Sequence, residues 1–155
     1  MTGRATVGDF RRLTFQQQID LIAEDLQTGL WTSDSLVVCN SYGAYLFLHA
    51  QTQLPAYIGK VLMLSPILGA FENNLKGQVF IPPRADRLLS LVRESKYPAP
   101  ISAEIHVGSE DWQSPQAIVQ EFGSRLNCPA YVAHGRGHML GKDYVAPVLD
   151  QWLGL

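Results

Sequence analysis

The sequence predicts an α/β fold built on a parallel sheet. Two apolar runs, "SLVVC" (residues 35–39) and "KVLMLSP" (60–66), do not alternate between polar and apolar positions, which is typical of strands buried on both faces. Two later segments, which begin at Ile101 and Ala130, are also strand-like and run into glycine-containing loops. Helical patterns separate these strands, and this alternation favours a parallel sheet with right-handed crossovers.

The helical segments carry their own boundary signals. The first opens with Thr14, has Gln17 three residues later in the spacing of a capping box, and is expected to stop at Gly29. In a later helix, Ser114 is the expected N-cap, with Pro115 at the first helical position. The remaining helical patterns are "PRADRLLSLVRES" (83–95), "SPQAIVQEFGSRL" (114–126) and "DYVAPVLDQWL" (143–153).

Length and charge limit the class of protein. A chain of 155 residues is expected to form one domain over residues 1–155. The net charge of -2, from 12 basic and 14 acidic residues that are interspersed, gives no reason to expect nucleic acid or an anionic membrane as a partner. No segment has the roughly 18 apolar residues of a membrane span, and the N-terminus lacks the apolar centre of a secretion signal. The cytoplasm is therefore the expected compartment.

Neither a cofactor nor a metal is predicted. Cys39 and Cys128 lie in apolar or strand-like stretches, where a reduced and buried thiol is expected, and they form no metal-binding signature. No glycine-rich phosphate loop follows a strand, which disfavours a doubly wound nucleotide-binding domain.

A serine marks the corner where the first strand turns into a helix, in "LVVCNSYGAYLFLHA" (36–50). Such a corner can hold a side chain in a strained, exposed position in front of the positive end of the helix, which is the geometry of a nucleophile elbow. The usual pattern is Gly-x-Ser-x-Gly, and here Cys39 and Gly43 occupy the two glycine positions around Ser41. Small residues there let the turn close without collision. The alternative is that Ser41 only caps the helix.

Two further residues follow later strands in the order that a catalytic serine needs. A serine requires a base to take its proton, and the base requires a carboxylate to orient it. Asp111 comes after the third strand and His138 lies in a glycine-rich loop after the last one. Glu110 is an adjacent alternative for the acid and His134 for the base. A metal held by the two histidines is not expected, because glycines lie between them.

These motifs resemble the α/β-hydrolase superfamily, in particular its short serine hydrolases, with Asn-Ser-x-Gly at the elbow, Gly-x-x-Asp before a helix and Gly-His-Met near the C-terminus. The resemblance runs from about Leu13 to Leu155. It implies a three-layer sandwich with a mostly parallel sheet and hydrolysis of an ester or related small acyl compound through an acyl-serine, with no cofactor. It implies Ser41 as nucleophile, His138 as general base and acid, and Asp111 as the orienting carboxylate. The Tyr42 N–H would be an oxyanion donor.

The resemblance is incomplete at the N-terminal side. In the family, a second oxyanion donor comes from a loop after an earlier strand, and no such strand precedes the first helix here. The chain is thus expected to form a partial α/β-hydrolase fold. The missing strands would be explained if the sequence were a fragment or if its reading frame were started at the wrong position. Without the earlier strands, "LVVC" becomes an exposed apolar edge, so we expect a homodimer, formed by pairing of these strands or by packing of the first helix across the gap. The alternative function is a binding or scaffold domain with a remnant triad.

The segment 67–85 is the longest irregular part and is expected to form a flap over the site at the carboxyl ends of the strands. The candidate substrate-binding side chains are apolar residues of this flap or of the loops beside the triad, although such residues can also be ordinary core. They are Phe71, Phe80, Trp112 and Met139.

Overall fold

The computed structural model describes residues 7–155. Its helices are α1 (Val7–Arg12), α2 (Phe15–Gly29), α3 (Tyr42–Gln51), α4 (Arg87–Arg93), α5 (Gln116–Arg125) and α6 (Lys142–Leu153). Its strands are β1 (Leu36–Asn40), β2 (Lys60–Leu64), β3 (Phe71–Asn73), β4 (Gln78–Phe80), β5 (Ser102–Gly108) and β6 (Ala130–Ala133).

Four of the strands form one parallel sheet in the order β1-β2-β5-β6. The order of strands across the sheet is the same as their order along the chain, so each crossover joins neighbouring strands. β1 is one edge of the sheet and β6 is the other. The segment 67–85, expected to be irregular, contains a short antiparallel hairpin of β3 and β4.

Helices cover both faces of the parallel sheet. On one face, α2, α3, α4 and α5 contribute to a large apolar core whose largest buried side chains include Tyr45, Tyr57 and Phe122. On the other face, α6 packs over a smaller cluster that contains Leu62 and Leu64. The α/β fold with a mostly parallel sheet between layers of helices is therefore confirmed.

The prediction that β1 is buried on both faces is wrong. Leu36 and Val38 remain 39% and 47% exposed, whereas Cys39, on the opposite face of the strand, is buried in the main core. The reason is that, among the described residues, β1 has a neighbouring strand on one side only, and that α6 packs over β2 and β6 rather than over β1. By contrast, β2 is buried from Val61 to Leu64, as predicted.

The helix boundaries follow the sequence signals at α2 and depart from them at α5. The Thr14 hydroxyl accepts the Gln17 N–H at 3.3 Å and the Gln17 side chain accepts the Thr14 N–H at 2.9 Å, so the capping box forms. The expected N-cap at Ser114 is wrong: Pro115 occupies that position, and the Ser114 hydroxyl donates to the Ser65 carbonyl at 3.0 Å. The serine is turned towards the end of β2 and is not free to cap the helix.

Cys39 and Cys128 are both buried and not joined in a disulfide. Burial raises the pKa of each thiol to about 12, so both are protonated near neutral pH. Among the helices of residues 7–155, none is long and apolar enough to cross a bilayer.

His49 of α3 is buried in an apolar setting. Its ring packs against Phe15 and Tyr45, with ring centroids 5.1 and 4.4 Å away, and neither of its nitrogens has a hydrogen-bond partner among the described residues. Burial, with a smaller contribution from the positive charges of Arg84 and Arg87, lowers the pKa of His49 to about 4. The folded protein therefore holds this ring neutral at pH values where an unfolded chain would protonate it.

Acidification should destabilise the protein through His49. The folded pKa lies below the unfolded value of about 6.5, so the free energy of unfolding should fall as the pH drops through 6.5 and level off below about 4. Between pH 7 and pH 5 the loss is about 2 kcal/mol. Urea denaturation at the two pH values should show this loss in the wild type, a smaller one in His49→Phe, and no change in the loss for the exposed control His134→Gln. An equal loss in His49→Phe would contradict the assignment.

Candidate active site

Ser41 lies at the corner between β1 and α3 with φ 51° and ψ -122°. A positive φ is strained for a residue with a Cβ and persists only where neighbouring groups hold it. Here the Ser41 N–H donates to the Leu64 carbonyl at 3.0 Å, and the Ser41 carbonyl accepts the Ile67 N–H at 3.3 Å. The Ser41 side chain makes no capping hydrogen bond to α3. Its hydroxyl is thus free to face the loops beyond the sheet.

The structure brings Ser41, His138 and Asp111 together. The distance between Ser41 Oγ and His138 Nε2 is 2.7 Å. On the other side of the ring, His138 Nδ1 lies 3.0 Å from Asp111 Oδ1 and 2.9 Å from Oδ2. In the tautomer with the proton on Nδ1, the imidazole donates to the carboxylate and accepts the serine hydroxyl. This chain of hydrogen bonds can move a proton from Ser41 to His138.

Asp111, rather than its neighbour Glu110, contacts the histidine. Asp111 is buried, and its Oδ1 also accepts the backbone N–H groups of Gln113 and Ser114 at 2.9 and 3.0 Å. Glu110 is exposed and joins the site only through its backbone N–H, which donates to the Arg136 carbonyl at 2.8 Å. The aspartate therefore holds the turn before α5 as well as the ring of His138.

Two residues that the sequence interpretation missed position the loop that carries His138. A Cβ on Gly108 would lie 2.1 Å from the Arg136 carbonyl oxygen, so only glycine at the end of β5 lets this loop approach. Arg136 Nη1 donates to the Leu140 carbonyl at 2.6 Å and to Asp143 Oδ1 at 2.7 Å, which ties the loop to the start of α6. The available signal was a glycine at a strand end and opposite charges on either side of His138.

His134, the alternative base, does not enter this arrangement. His134 is exposed, and His138 makes the contact with Ser41. In the part of the chain from residue 7 onward, no three His, Cys, Asp or Glu side chains lie close enough to hold a metal ion.

The N-terminus of α3 supplies backbone donors next to Ser41. Tyr42 is the first residue of this helix, so its N–H has no carbonyl one turn earlier to bind and points out of the positive end of the helix dipole. Within residues 7–155 no strand precedes β1, so this part of the chain holds no loop after an earlier strand that could bring a second donor.

The steric reason expected for glycine at position 43 is not found. A Cβ at Gly43 would meet no heavy atom within 4 Å. Gly43 faces a groove of about 330 Å³ at the free edge of β1, lined also by Leu26 and Val38. Among the described residues, no atom beside Gly43 would therefore collide with a larger side chain at this position.

Three of the four candidate substrate-binding residues form an aromatic cluster beside the site. The rings of Phe71 and Phe80 stack with centroids 4.9 Å apart, and Trp112 meets Phe71 edge to face at 5.5 Å. The ring of Phe80 also meets that of Tyr42 edge to face, with the ring centroids 6.1 Å apart. The hairpin of β3 and β4 thus packs against the residues that follow Ser41 and Asp111. Met139 is separate: it is 80% exposed and lines an apolar groove of about 470 Å³ between His138 and α6.

Comparisons with known proteins identify the fold. The sequence matches no family model and no curated protein. Among solved structures, a thermophilic esterase is similar with 16% identity and a TM-score of 0.66, over 92% of this chain and 73% of the other. A monoacylglycerol lipase from Paleococcus ferrophilus shows 14% identity and a TM-score of 0.64, over 91% and 75% of the two chains.

A third similar structure is a protein from Thermoplasma acidophilum described as a predicted CIB-like hydrolase, with 17% identity and a TM-score of 0.60. The match covers 93% of this chain, which spans 62% of the length of that protein. These similarities show that this chain adopts part of the α/β-hydrolase fold.

Removal of the Asp111 carboxylate should destabilise the fold as well as the site. Asp111→Ala leaves two backbone N–H groups and the His138 ring without their buried acceptor, and we expect a loss of about 3 kcal/mol in the free energy of unfolding. Glu110→Ala, which removes an exposed carboxylate one residue away, should change it by less than about 0.5 kcal/mol. Urea denaturation of both variants measures the difference, and equal losses would contradict this account of Asp111.

Proposed function

We propose that this protein is a serine hydrolase that cleaves a carboxylic ester or a related acyl compound through an acyl-serine intermediate on Ser41. The observation that carries the proposal is the 2.7 Å contact between Ser41 Oγ and His138 Nε2, on a serine whose backbone is strained and whose partner ring is held by a buried carboxylate. A serine that had only a structural role would gain nothing from this arrangement. The fold shared with an esterase and a lipase supports an ester as substrate.

In the first half of the reaction, Ser41 Oγ attacks the carbonyl carbon of the ester while His138 Nε2 takes the hydroxyl proton. The negative charge that develops on the carbonyl oxygen is stabilised by the Tyr42 N–H at the positive end of α3. Collapse of the tetrahedral intermediate breaks the bond to the alcohol oxygen, which receives the proton from His138. Asp111 stabilises the imidazolium during this step.

In the second half, a water molecule gives a proton to His138 and attacks the acyl carbon. The bond to Ser41 Oγ then breaks, the serine recovers its proton from His138, and the carboxylic acid leaves. Over the two halves, one water molecule is consumed, the alcohol and the carboxylic acid are released, and Ser41 and His138 return to their starting protonation states.

The substrate would bind against the aromatic cluster of the hairpin. Phe71, Phe80 and Trp112 present apolar rings beside the residues that follow Ser41 and Asp111, which suits an acyl chain or an apolar alcohol. Met139 would contact the other end of the substrate from the groove along α6.

One observation favours a second candidate function, a binding domain with a remnant triad. No strand precedes β1 among residues 7–155, so the oxyanion donor that a loop after an earlier strand would supply is not found there, and loss of a donor costs about 100-fold to 1000-fold in turnover. The hydrolase is the better supported of the two, because the complete hydrogen-bond chain from Ser41 to Asp111 is in place.

A fluorophosphonate probe tests the proposal directly. Attack by an activated serine displaces fluoride from phosphorus and adds the rest of the probe to the protein, which intact mass spectrometry detects. We expect one addition in the wild type and in the control Ser124→Ala, which changes an exposed serine of α5. Ser41→Ala and His138→Ala should not react, and their ester hydrolysis should fall by roughly 1000-fold or more. No addition to wild-type protein with native circular dichroism would favour the binding domain.

The hairpin should set the preference for the acyl group. Phe80→Ala removes a ring that contacts Phe71 and Tyr42, and we expect kcat/KM for a medium-chain ester to fall about 10-fold relative to that for an acetate ester. Val79→Ala changes the adjacent, 65% exposed residue of the same strand and should leave both values unchanged. Hydrolysis of the two esters by both variants measures the ratio. Equal effects of the two substitutions would exclude Phe80 from the acyl site.

A further inference from the structure

Within residues 7–155, the edge of β1 that faces away from β2 is unpaired, and mostly apolar surface lies on both of its faces. β1 pairs with β2 on one side and, among the described residues, has no strand on the other. None of its five residues, "LVVCN", is charged, and none is proline. Natural sheets usually guard an edge with such residues, with short strands or with a covering element. The opposite edge, β6, has four residues and follows Pro129.

The direction of the unpaired backbone groups can be read from the pairing with β2. The Ser35 carbonyl accepts from Lys60 and the Ser41 N–H donates to Leu64, so the odd-numbered residues of this strand point their backbone groups towards β2. Because backbone groups alternate sides along a strand, Leu36, Val38 and Asn40 point theirs outward. The edge therefore presents three N–H and three C=O groups, arranged symmetrically about Val38.

Such an edge is complementary to itself. We propose that two copies of this chain pair their β1 strands antiparallel across a two-fold axis centred on Val38. Leu36 of each copy then lies opposite Asn40 of the other, and the two Val38 residues lie opposite each other. This gives three residue pairs across the axis, and each pair is joined by two N–H···O=C hydrogen bonds. The six outward groups of each copy are thereby satisfied, which gives six hydrogen bonds and joins two four-stranded sheets into one.

The side chains fit the same arrangement. In this register, opposite residues point to the same face of the sheet, so the exposed Leu36 and Val38 of one copy join those of the other beside α6. On the other face, the groove of about 330 Å³ at the edge, with Leu26 and Val37 among its lining residues, faces the second copy. No charged side chain of the strand has to be buried, and among the described residues Asp25 is the one charged residue that lines the groove. The neutral strand suits an equally neutral partner strand, and a second copy supplies one.

Sedimentation velocity of the full 155-residue chain between 1 and 50 µM tests the proposal without using activity, and Ser41→Ala should behave like the wild type. We expect a dimer at micromolar concentration. Val38→Lys brings two charges together at the axis and should raise the dissociation constant about 100-fold or more. The control Val79→Lys changes an exposed valine of the hairpin and should leave the dimer intact.

Cross-linking identifies the occupant of the edge. In Val38→Cys the two new thiols would lie across the axis, where a hydrogen-bonded pair has a Cα–Cα distance of about 5.5 Å, within the range that a disulfide spans. Mild oxidation should give a covalent dimer, whereas Tyr131→Cys on the opposite edge strand should form no covalent dimer. The native thiols are buried and protonated and should not interfere.

Three results would overturn the proposal. The first is a monomer at 50 µM, which would leave the edge to a strand from a different polypeptide. The second is a dimer that is lost in Val79→Lys and kept in Val38→Lys, which would place the interface at the hairpin. The third is covalent dimer formation through Tyr131→Cys but not through Val38→Cys.

Discussion

The hydrogen bonds that hold the backbone of Ser41 support the rest of the site. Its N–H is fixed by the last residue of β2 and its carbonyl by the chain that leaves β2, so the strained corner is held from the neighbouring strand. The same connection continues through Ser65, whose carbonyl accepts from Ser114, and through Ser114, whose N–H donates to Asp111. The ends of three adjacent strands are therefore linked, and the position of the hydroxyl relative to the carboxylate is set by the sheet.

The histidine reaches this frame from a loop, and its position needs separate support. Gly108 lets the loop pass close to the end of β5, and Arg136 fastens it to α6 through Asp143. The guanidinium also lowers the pKa of the Asp143 carboxyl to about 2, so the pair stays charged over the whole range near neutral pH. The close approach at Gly108 and the ion pair of Arg136 thus position the loop on either side of His138.

The sequence predicted the parallel sheet and the approach of Ser41, Asp111 and His138. The reason is that the carboxyl ends of all strands in a parallel sheet lie at the same edge, regardless of the lengths of the connecting segments. The sequence prediction was wrong where the burial or hydrogen bonding of a residue depends on residues far away in the chain. The run in β1 indicates that both faces are apolar, yet whether they are covered depends on which elements lie beside it. Ser114 has the local signal of an N-cap, but a carbonyl 49 residues away competes for its hydroxyl. Gly108 and Arg136 have only a weak local signal, because their role depends on how closely the loop with His138 approaches the end of β5 and the start of α6.

The order of the strands has a consequence for how the molecule forms. Since β1, β2, β5 and β6 stand in the sheet in the order of the chain, each strand can add to the free side of the one before, and none has to be inserted between strands already paired. A chain that emerges from the ribosome N-terminal end first can therefore build the corner at Ser41 early. The loop with His138 follows the last strand, so the contact between Ser41 and His138 forms only at the final step, and under the proposed function the serine of an incomplete nascent chain is not activated.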